Sequence, residues 1–370
     1  VKSKAAVLFE SPGRWEVCDI EVDDPREQEV LVRVVASGVC RTDVHYMNGR
    51  AGALPMCGGH EGAGIVEAIG PGVTRVRPGD HVVMSFIPSC GHCVYCASGH
   101  QNLCNVGAVI GSGRQFDGTC RMHHAGRDVA QFMMISTFSA WSTVNERSLL
   151  KVPDDLPLES LCLLSCGVGT GFGSATNAAD VQPGDVVIVM GIGGVGINAV
   201  QGASLAGASS VIAVDPVLFK REVAARLGAT SSFPDMAQAA ECARELTNGQ
   251  GADSAIVTTG VVTGDQVAEA FDAIGKGGTV VVTGLADPAH AVGVPLNLML
   301  LVGYQKRIQG CLFGMGNPAV EVPREIALYR AGRLKLDELV TARYRLDEIN
   351  TAVDDLLAGR NIRGVVVHEH

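Results

Sequence analysis

The stretch VVIVMGIGGVGINAVQGASLA, residues 186–206, decides the fold. Its first residues, Val186 to Met190, form the continuous apolar run that a parallel strand buried on both faces requires. GIGGVG follows at Gly191 to Gly196, and a helical pattern continues through Ala206. A lone G-x-G-x-x-G is a weak signal, but between an apolar strand and a helix it has a physical reading. Gly191 permits a tight turn, Gly193 lets the backbone approach a pyrophosphate, and Gly196 lets the helix pack closely. Gly194 and Val195 lead into the helix start, which offers unpaired N–H groups and a positive dipole end. The plain alternative is an ordinary strand-to-helix turn.

Downstream, a strand from Ser210 to Asp215 ends on a carboxylate. A carboxylate there can accept both hydroxyls of an adenosine ribose and would repel a 2'-phosphate, which favours NAD over NADP. Alone, Asp215 also suits a helix N-cap ahead of Pro216, and the two roles can coexist. Helices near Leu218–Leu227 and Met236–Thr247, a strand Asp253–Thr258, a helix Gly264–Ile274 and a strand Gly278–Thr283 continue the alternation. Strand and helix in turn imply right-handed crossovers and a doubly wound parallel-sheet Rossmann domain. Upstream, Glu29–Val35, Gly64–Ile69 and His81–Met84 read as short strands between turns, the manner of a β-rich, barrel-like domain. Arg77-Pro78-Gly79-Asp80 and its near-copy Gln182-Pro183-Gly184-Asp185 are turns feeding apolar strands. Helices at Val322–Ala331 and Leu346–Ala358 and a strand Gly364–His368 close the chain. The expected organisation is a catalytic domain over 1–167, a dinucleotide-binding domain over 168–310, and a return of 311–370 to the first. A strand near Val302–Leu312 is expected to end the parallel sheet and to pair across a two-fold axis, giving a dimer or tetramer.

Cys90, Cys93, Cys96 and Cys104 form a C-x2-C-x2-C-x7-C run. Four thiolates in one short loop repel one another unless a divalent cation neutralises them, and zinc with four sulfurs is the usual solution in a reducing compartment. Two disulfides or a redox switch are the alternatives. Elsewhere Cys40 in GVCRTD, His60 in GGHEG and Cys166 in SCGVGTG are borderline-soft ligands whose number leaves a fourth position open, as a catalytic zinc requires. Taken singly, each cysteine is equally a buried core thiol and the histidine a satisfied loop residue.

In this order the motifs GVCRTD, GGHEGAG, the cysteine run, SCGVGTGFG, GIGGVG and Asp215 resemble the zinc-dependent medium-chain alcohol dehydrogenases across essentially the whole chain. The resemblance implies a GroES-like catalytic domain beside the Rossmann domain, a catalytic zinc on Cys40, His60 and Cys166, and a structural zinc on the four-cysteine run. It further implies that Thr42 takes the substrate proton and His45 passes it on. Arg41 and Arg363 would contact the pyrophosphate, Asp215 and Lys220 the ribose, and Thr170 the cofactor. Glu61 and Asp43 would stand behind the metal ligands, Asp43 orienting a ligand histidine. Phe86 and Phe138, with Trp141 nearby, would form an apolar substrate wall, although an aromatic in such text is core by default. Small or medium primary alcohols and their aldehydes are the implied substrates. Ala51 and Ala108 stand where thiol-dependent formaldehyde-oxidising relatives carry an acidic residue and an arginine, which argues against that alternative.

The runs from Cys166 through GFGSATNAADVQPGD and VDPVLFKRE around Lys220 resemble a narrower actinobacterial subgroup, the nitrosoaniline-dependent or mycofactocin-associated alcohol dehydrogenases. There the nicotinamide stays bound and an external electron acceptor re-oxidises it. A non-catalytic redox-sensing relative of the same fold is the competing class. Such relatives commonly lose catalytic ligands, whereas Cys40, His60, Cys166, Thr42 and His45 all stand in this chain.

Composition agrees with an enzyme of this kind. The 370 residues carry a formal charge of −10 with no basic run, which disfavours nucleic acid and anionic lipid as partners. The apolar stretch Ala5–Phe9 is too short for a signal-peptide core, and no run approaches the roughly 20 apolar residues of a membrane span, so a cytoplasmic location is expected.

Overall fold

The computed structural model describes residues 1–286 and 293–370, which form two compact units. Val1–Cys166, Asn317–Ala327 and Leu336–His370 make the first, Gly167–Gly316 and Leu328–Lys335 the second. The chain's second passage through the first unit is therefore interrupted at Leu328–Lys335, a detour absent from the expected single return.

The first unit is built from two β systems. Lys2–Leu8, Glu16–Val22, Met122–His124, Arg127–Gln131 and Met56–Cys57 close into a barrel. A second sheet runs in the order Leu149–Lys151, His81–Met84, Glu61–Ile69, Glu29–Gly38, Arg363–Val367 and Val340–Tyr344, with Trp141–Asn145 also paired to Glu29–Gly38. The C-terminal strand pairs antiparallel with the end of Glu29–Gly38, setting Val365 opposite Gly38. That register brings Arg363 beside Glu61, although 302 positions separate them along the chain.

The second unit is a six-stranded sheet in the order Ser231–Phe233, Ser210–Val214, Val186–Met190, Ala252–Val257, Ile274–Val282 and Arg307–Gly310. Every pairing is parallel. Starting at Val186–Met190, the chain lays down strands in the spatial order 3-2-1-4-5-6, the doubly wound topology. Val186–Met190 and Ser210–Val214 are buried along their whole length, which explains their lack of polar alternation. The three-residue strand Ser231–Phe233 was not foreseen, being too short to show a period. The last strand covers only Arg307–Gly310, because Leu298–Gly303 is helical.

Local chemistry accounts for the boundaries. Thr263 and Gln266 form a reciprocal capping box on the helix Gly264–Ala273, and the Asp235 side chain accepts from the Gln238 N–H to start Met236–Leu246. The helix Gly196–Ala206 stops at Gly207, which takes the left-handed conformation (φ 98°). In the two related turns, Asp80 accepts from the Arg77 N–H at 3.0 Å and Asp185 from the Gln182 N–H at 2.8 Å. The helix expected over Val322–Ala331 starts earlier and covers Pro318–Arg330, with Pro323 tolerated within it. Among the described residues no helix is long and apolar enough to cross a membrane.

Candidate metal centres and nucleotide site

Cys40 ends the turn before the short helix Arg41–His45, and its N–H donates to Asp43 Oδ2 at 2.9 Å. The other carboxylate oxygen of Asp43 lies 3.2 Å from His60 Nδ1. With Asp43 fully buried, Nδ1–H donates to the carboxylate, and Nε2 is left as the ligand atom. Ser165 secures the third arm: its hydroxyl accepts from the Gly62 N–H at 3.0 Å and donates to the Gly62 carbonyl at 2.9 Å. Cys166 is thereby held beside the strand that begins at Glu61. One ligand atom each from Cys40, His60, Glu61 and Cys166 falls within 4.8 Å of the others, all from buried residues.

Two features show that this cluster fits a cation. His60 Nε2 and Glu61 Oε1 are buried without a hydrogen-bond partner, and such atoms cost stability unless something binds them. The thiols also divide. Its contact with Cys166 holds Cys40 well below the usual thiol range, while Cys166 is driven well above by the same contact and by burial. Two adjacent thiols share one negative charge until a cation allows both to ionise. Burial alone would depress His60, but Asp43 and then Cys40 raise it well above its ordinary value. Glu61 is pushed up to about 7 by burial, opposed by Arg363.

Thr42 Oγ1 lies 3.7 Å from Cys40 Sγ, and Thr42 and His45 lie three residues apart, one turn of the same short helix. Arg41 is half-buried, with Nε unpartnered, so it still has a donor to offer an anion. Arg363 is 3% exposed and pairs with Glu61 inside the metal centre, a contact not foreseen, and its Nε is without a hydrogen-bond partner. A buried cation requires a buried partner, and Glu61 supplies it. Gly38 has no room for more: a Cβ there would lie 2.2 Å from Glu61 Oε2.

The aromatic wall also differs from expectation. Phe86 stands edge-on to His60, with ring centroids 5.7 Å apart. Phe138 does not line a site; it is fully buried and packs edge-on against Trp15 at 5.7 Å. The second ring at His60 is Phe132, at 5.3 Å. Phe132 was missed because an unusual backbone places it: Met133, Met134 and Ser136 all have positive φ, and Ser136 Oγ accepts from the Phe132 N–H. No local pattern in Gln131–Met134 announces this geometry. Trp141 packs on His370, with centroids 5.7 Å apart, away from the expected wall.

The second cluster is local. Cys90, Cys93, Cys96 and Cys104 bring their sulfurs within 4.8 Å of one another. The Cys93 N–H points at Cys90 Sγ and the Cys90 N–H at Cys104 Sγ, both at 3.3 Å. Backbone N–H groups of Asn105 and Cys96 bring Cys93 down to about 6, whereas burial pushes Cys96 up to about 12. This mixture of ionised and neutral sulfurs suits a loop whose charge a metal completes.

In the second unit each glycine of the fingerprint has its own reason. Gly191 sits at φ 91°, and a Cβ there would approach the Thr259 nitrogen at 2.8 Å. A Cβ on Gly196 would strike the Gly191 carbonyl at 1.9 Å, so the helix can pack closely only with glycine. Gly193 faces open space, the cradle a pyrophosphate would fill. Val195 is the N-cap of the helix, and buried Asn198, not foreseen, donates to the Gly194 carbonyl at 2.8 Å. Asp215 accepts from the N–H groups of Ile192 at 2.8 Å and Val217 at 2.9 Å. Each of its oxygens keeps a further lone pair, so capping and ribose binding are compatible. Lys220 Nζ stands 3.9 Å from the same carboxylate. Thr170 is buried in the helix Gly167–Gly173, its carbonyl accepting from Ser174 Oγ at 2.6 Å.

Comparison with known proteins agrees with this geometry. Residues 26–154 match the family described as alcohol dehydrogenase GroES-like domain, and residues 194–328 match zinc-binding dehydrogenase. The chain is 51% identical to an NDMA-dependent alcohol dehydrogenase of Amycolatopsis methanolica, over 100% of this chain and 99% of that one. Among solved structures, an alcohol dehydrogenase zinc-binding domain protein from Burkholderia ambifaria superposes with a TM-score of 0.93 at 33% identity. A benzyl alcohol dehydrogenase from Acinetobacter calcoaceticus gives 0.91 at 32%. Coverage is 100% of both chains in each case.

Proposed function

The chain belongs to the zinc-binding dehydrogenases that carry a GroES-like alcohol dehydrogenase domain, and from that premise we propose that it interconverts primary alcohols and aldehydes with NAD as cofactor. The observation that carries the proposal is the orphaned His60 Nε2 between two buried thiols. Held there, zinc supplies a Lewis acid that lowers the pKa of an alcohol oxygen, and the nicotinamide supplies the hydride acceptor. The chain does the rest. Asp43 holds His60 in the tautomer that turns Nε2 to the metal. Cys40 and Cys166 as thiolates would balance a dication, and Glu61 and Arg363 balance each other, which leaves the Asp43 carboxylate behind His60 as the one uncompensated charge. Thr42 Oγ1 receives the alcohol proton, and His45 carries it onward. In the second unit, Gly191–Gly196 cradle the pyrophosphate, while Asp215 and Lys220 hold the ribose and Asp215 turns away a 2'-phosphate. The four-cysteine loop holds the structural zinc.

The 51% identity to an enzyme named NDMA-dependent supports a retained nicotinamide re-oxidised by an external acceptor. The edge strand Arg307–Gly310 and the exposed Leu298, Met299 and Val302 offer a surface for a second copy. A cytoplasmic setting suits twelve cysteines that form no disulfide in this fold. Metal analysis should find two zinc ions per chain, and heat denaturation should release about one nicotinamide. A preparation with two zinc ions that oxidises no primary alcohol would overturn the assignment. One that arrives empty and turns over freely with added NAD would overturn only cofactor retention.

A further inference from the structure

His60 stands in the run Gly58-Gly59-His60-Glu61-Gly62, and one buried side chain explains the glycines on either side of it. A Cβ on Gly59 would lie 2.6 Å from Thr137 Oγ1, and one on Gly62 would lie 2.4 Å from Thr137 Cγ2. Thr137 is therefore pressed against the loop both before and after the ligand histidine, closely enough to admit only glycine there. Hydrogen bonds join the same two segments. The Thr137 N–H donates to the Gly59 carbonyl and the Phe138 N–H to the Gly58 carbonyl, both at 3.0 Å, while Ser136 Oγ donates to the Cys57 carbonyl at 2.6 Å.

Thr137 is itself tied from behind by two residues that take no part in the chemistry. Its hydroxyl lies 2.5 Å from that of Ser37, and both residues are fully buried. Its carbonyl lies 2.9 Å from His368 Nε2. A carbonyl can only accept, so Nε2 carries the proton. His368 is buried just beyond the last strand, where its own N–H donates to the Val35 carbonyl at 3.0 Å. Burial pushes its ring down to about 4, so near neutral pH it is uncharged and needs no buried counter-ion. The end of the chain thus reaches the metal centre twice. Arg363 pairs with Glu61, and His368 holds the residue that backs the His60 loop.

We propose that Thr137 and His368 are positioning residues for the metal ligand His60: they fix the loop from which Nε2 reaches the ion, as Asp43 fixes the ring. This rests on the reading of Cys40, His60 and Cys166 as zinc ligands given above. A ligand on a loop held in place before the metal arrives loses less freedom on binding it, so the ion stays longer and sits where the chemistry needs it.

The test follows transfer of zinc from the zinc-loaded enzyme to a chromogenic chelator, with Cys40→Ser identifying which phase of release belongs to which ion. His368→Phe keeps a ring and removes the donor, Thr137→Val keeps the volume and removes the hydroxyl, and His368→Gln returns an N–H donor. The first two should each speed release from the His60 site by about two- to tenfold, the range of one neutral hydrogen bond. Release from the four-cysteine loop should not change, and kcat should fall while KM for NAD holds. His368→Gln should bring the release rate back towards the native one. The four-cysteine phase is measured in the same molecule, so it separates positioning from a general loosening of the fold. Unchanged release from the His60 site, equal acceleration of both phases, or a His368→Gln variant as fast as His368→Phe overturns the inference. Should His368→Phe fail to fold, Thr137→Val and His368→Gln decide by the same criteria. Release that responds as expected in a protein that oxidises no alcohol supports the inference and overturns the dehydrogenase reading alone. Absence of zinc from the Cys40, His60 and Cys166 site overturns both.

Discussion

The two cysteine-centred clusters of the first unit solve one problem in different ways. Cys90, Cys93, Cys96 and Cys104 come from one short loop, and protein sulfurs supply all four corners. Cys40, His60 and Cys166 come from a helix start, a strand start and a distant turn, with Glu61 at the fourth corner tied to Arg363. The loop is held by its own N–H groups, whereas the second cluster is positioned by the Ser165–Gly62 and Asp43–His60 bonds between distant segments. A closed set of ligands is a fold staple. A ligand set completed by a carboxylate that is already paired elsewhere leaves room for chemistry.

That contrast can be broken by mutation. Cys40→Ser should remove one zinc and reduce kcat/KM by about a thousandfold or more, because the several kcal/mol that a Lewis acid contributes is lost. Folding, followed by circular dichroism, should survive, and near-native turnover would refute the division of labour. Cys93→Ser should do the reverse. Its main effect should be a melting temperature lower by roughly 5 °C or more, with the other zinc retained, since structural metal binding is folding energy. Exposed Val94, Tyr95 and Leu103 on the loosened loop should then promote aggregation, visible in light scattering.

Asp43→Asn sharpens the comparison, since among the described residues no carboxylate bonds to a ligand of the loop cluster as Asp43 does to His60. It should weaken zinc binding or turnover by about 10- to 100-fold, with zinc competition by a chelator as the measurement. Equal chelator resistance in the native enzyme and the variant would show that His60 needs no orientation.

The smallest effect concerns a buried group that belongs to neither cluster. Both carboxylate oxygens of Glu325 are buried without a partner, and burial, then Glu321, raises its pKa well above the ordinary range against the pull of Arg324. The folded state therefore holds a proton that the unfolded state releases at about 4.3, so stability should decline as pH rises above that value until the folded pKa is reached. Glu325→Gln should abolish this decline and gain about 1 kcal/mol at pH 8 in urea denaturation. Parallel stability–pH curves for the two proteins would contradict the sign.

Much of this was legible because its causes are local. The parallel strands Val186–Met190 and Val211–Val214 announce themselves by unbroken apolarity, and the fingerprint glycines by their spacing between such a strand and a helix. The Asp43–His60 pairing was also anticipated, through family likeness. Phe138 was named and Phe132 missed, since which ring meets His60 depends on three residues in the left-handed region rather than on any period. The pairing of Arg363 with Glu61 was not foreseen, because the two are neighbours only through the pairing of the last strand with Glu29–Gly38.

The chain alone determined the alternation of strand and helix that follows the nucleotide loop, the loop itself and the four-cysteine knuckle, because each is specified by residues within a few positions of one another. Only the tertiary structure decided which distant charges neutralise each other and which aromatic rings border the metal ligands. Those choices follow from sheet register and close packing, which act through space and leave no spacing along the chain to read.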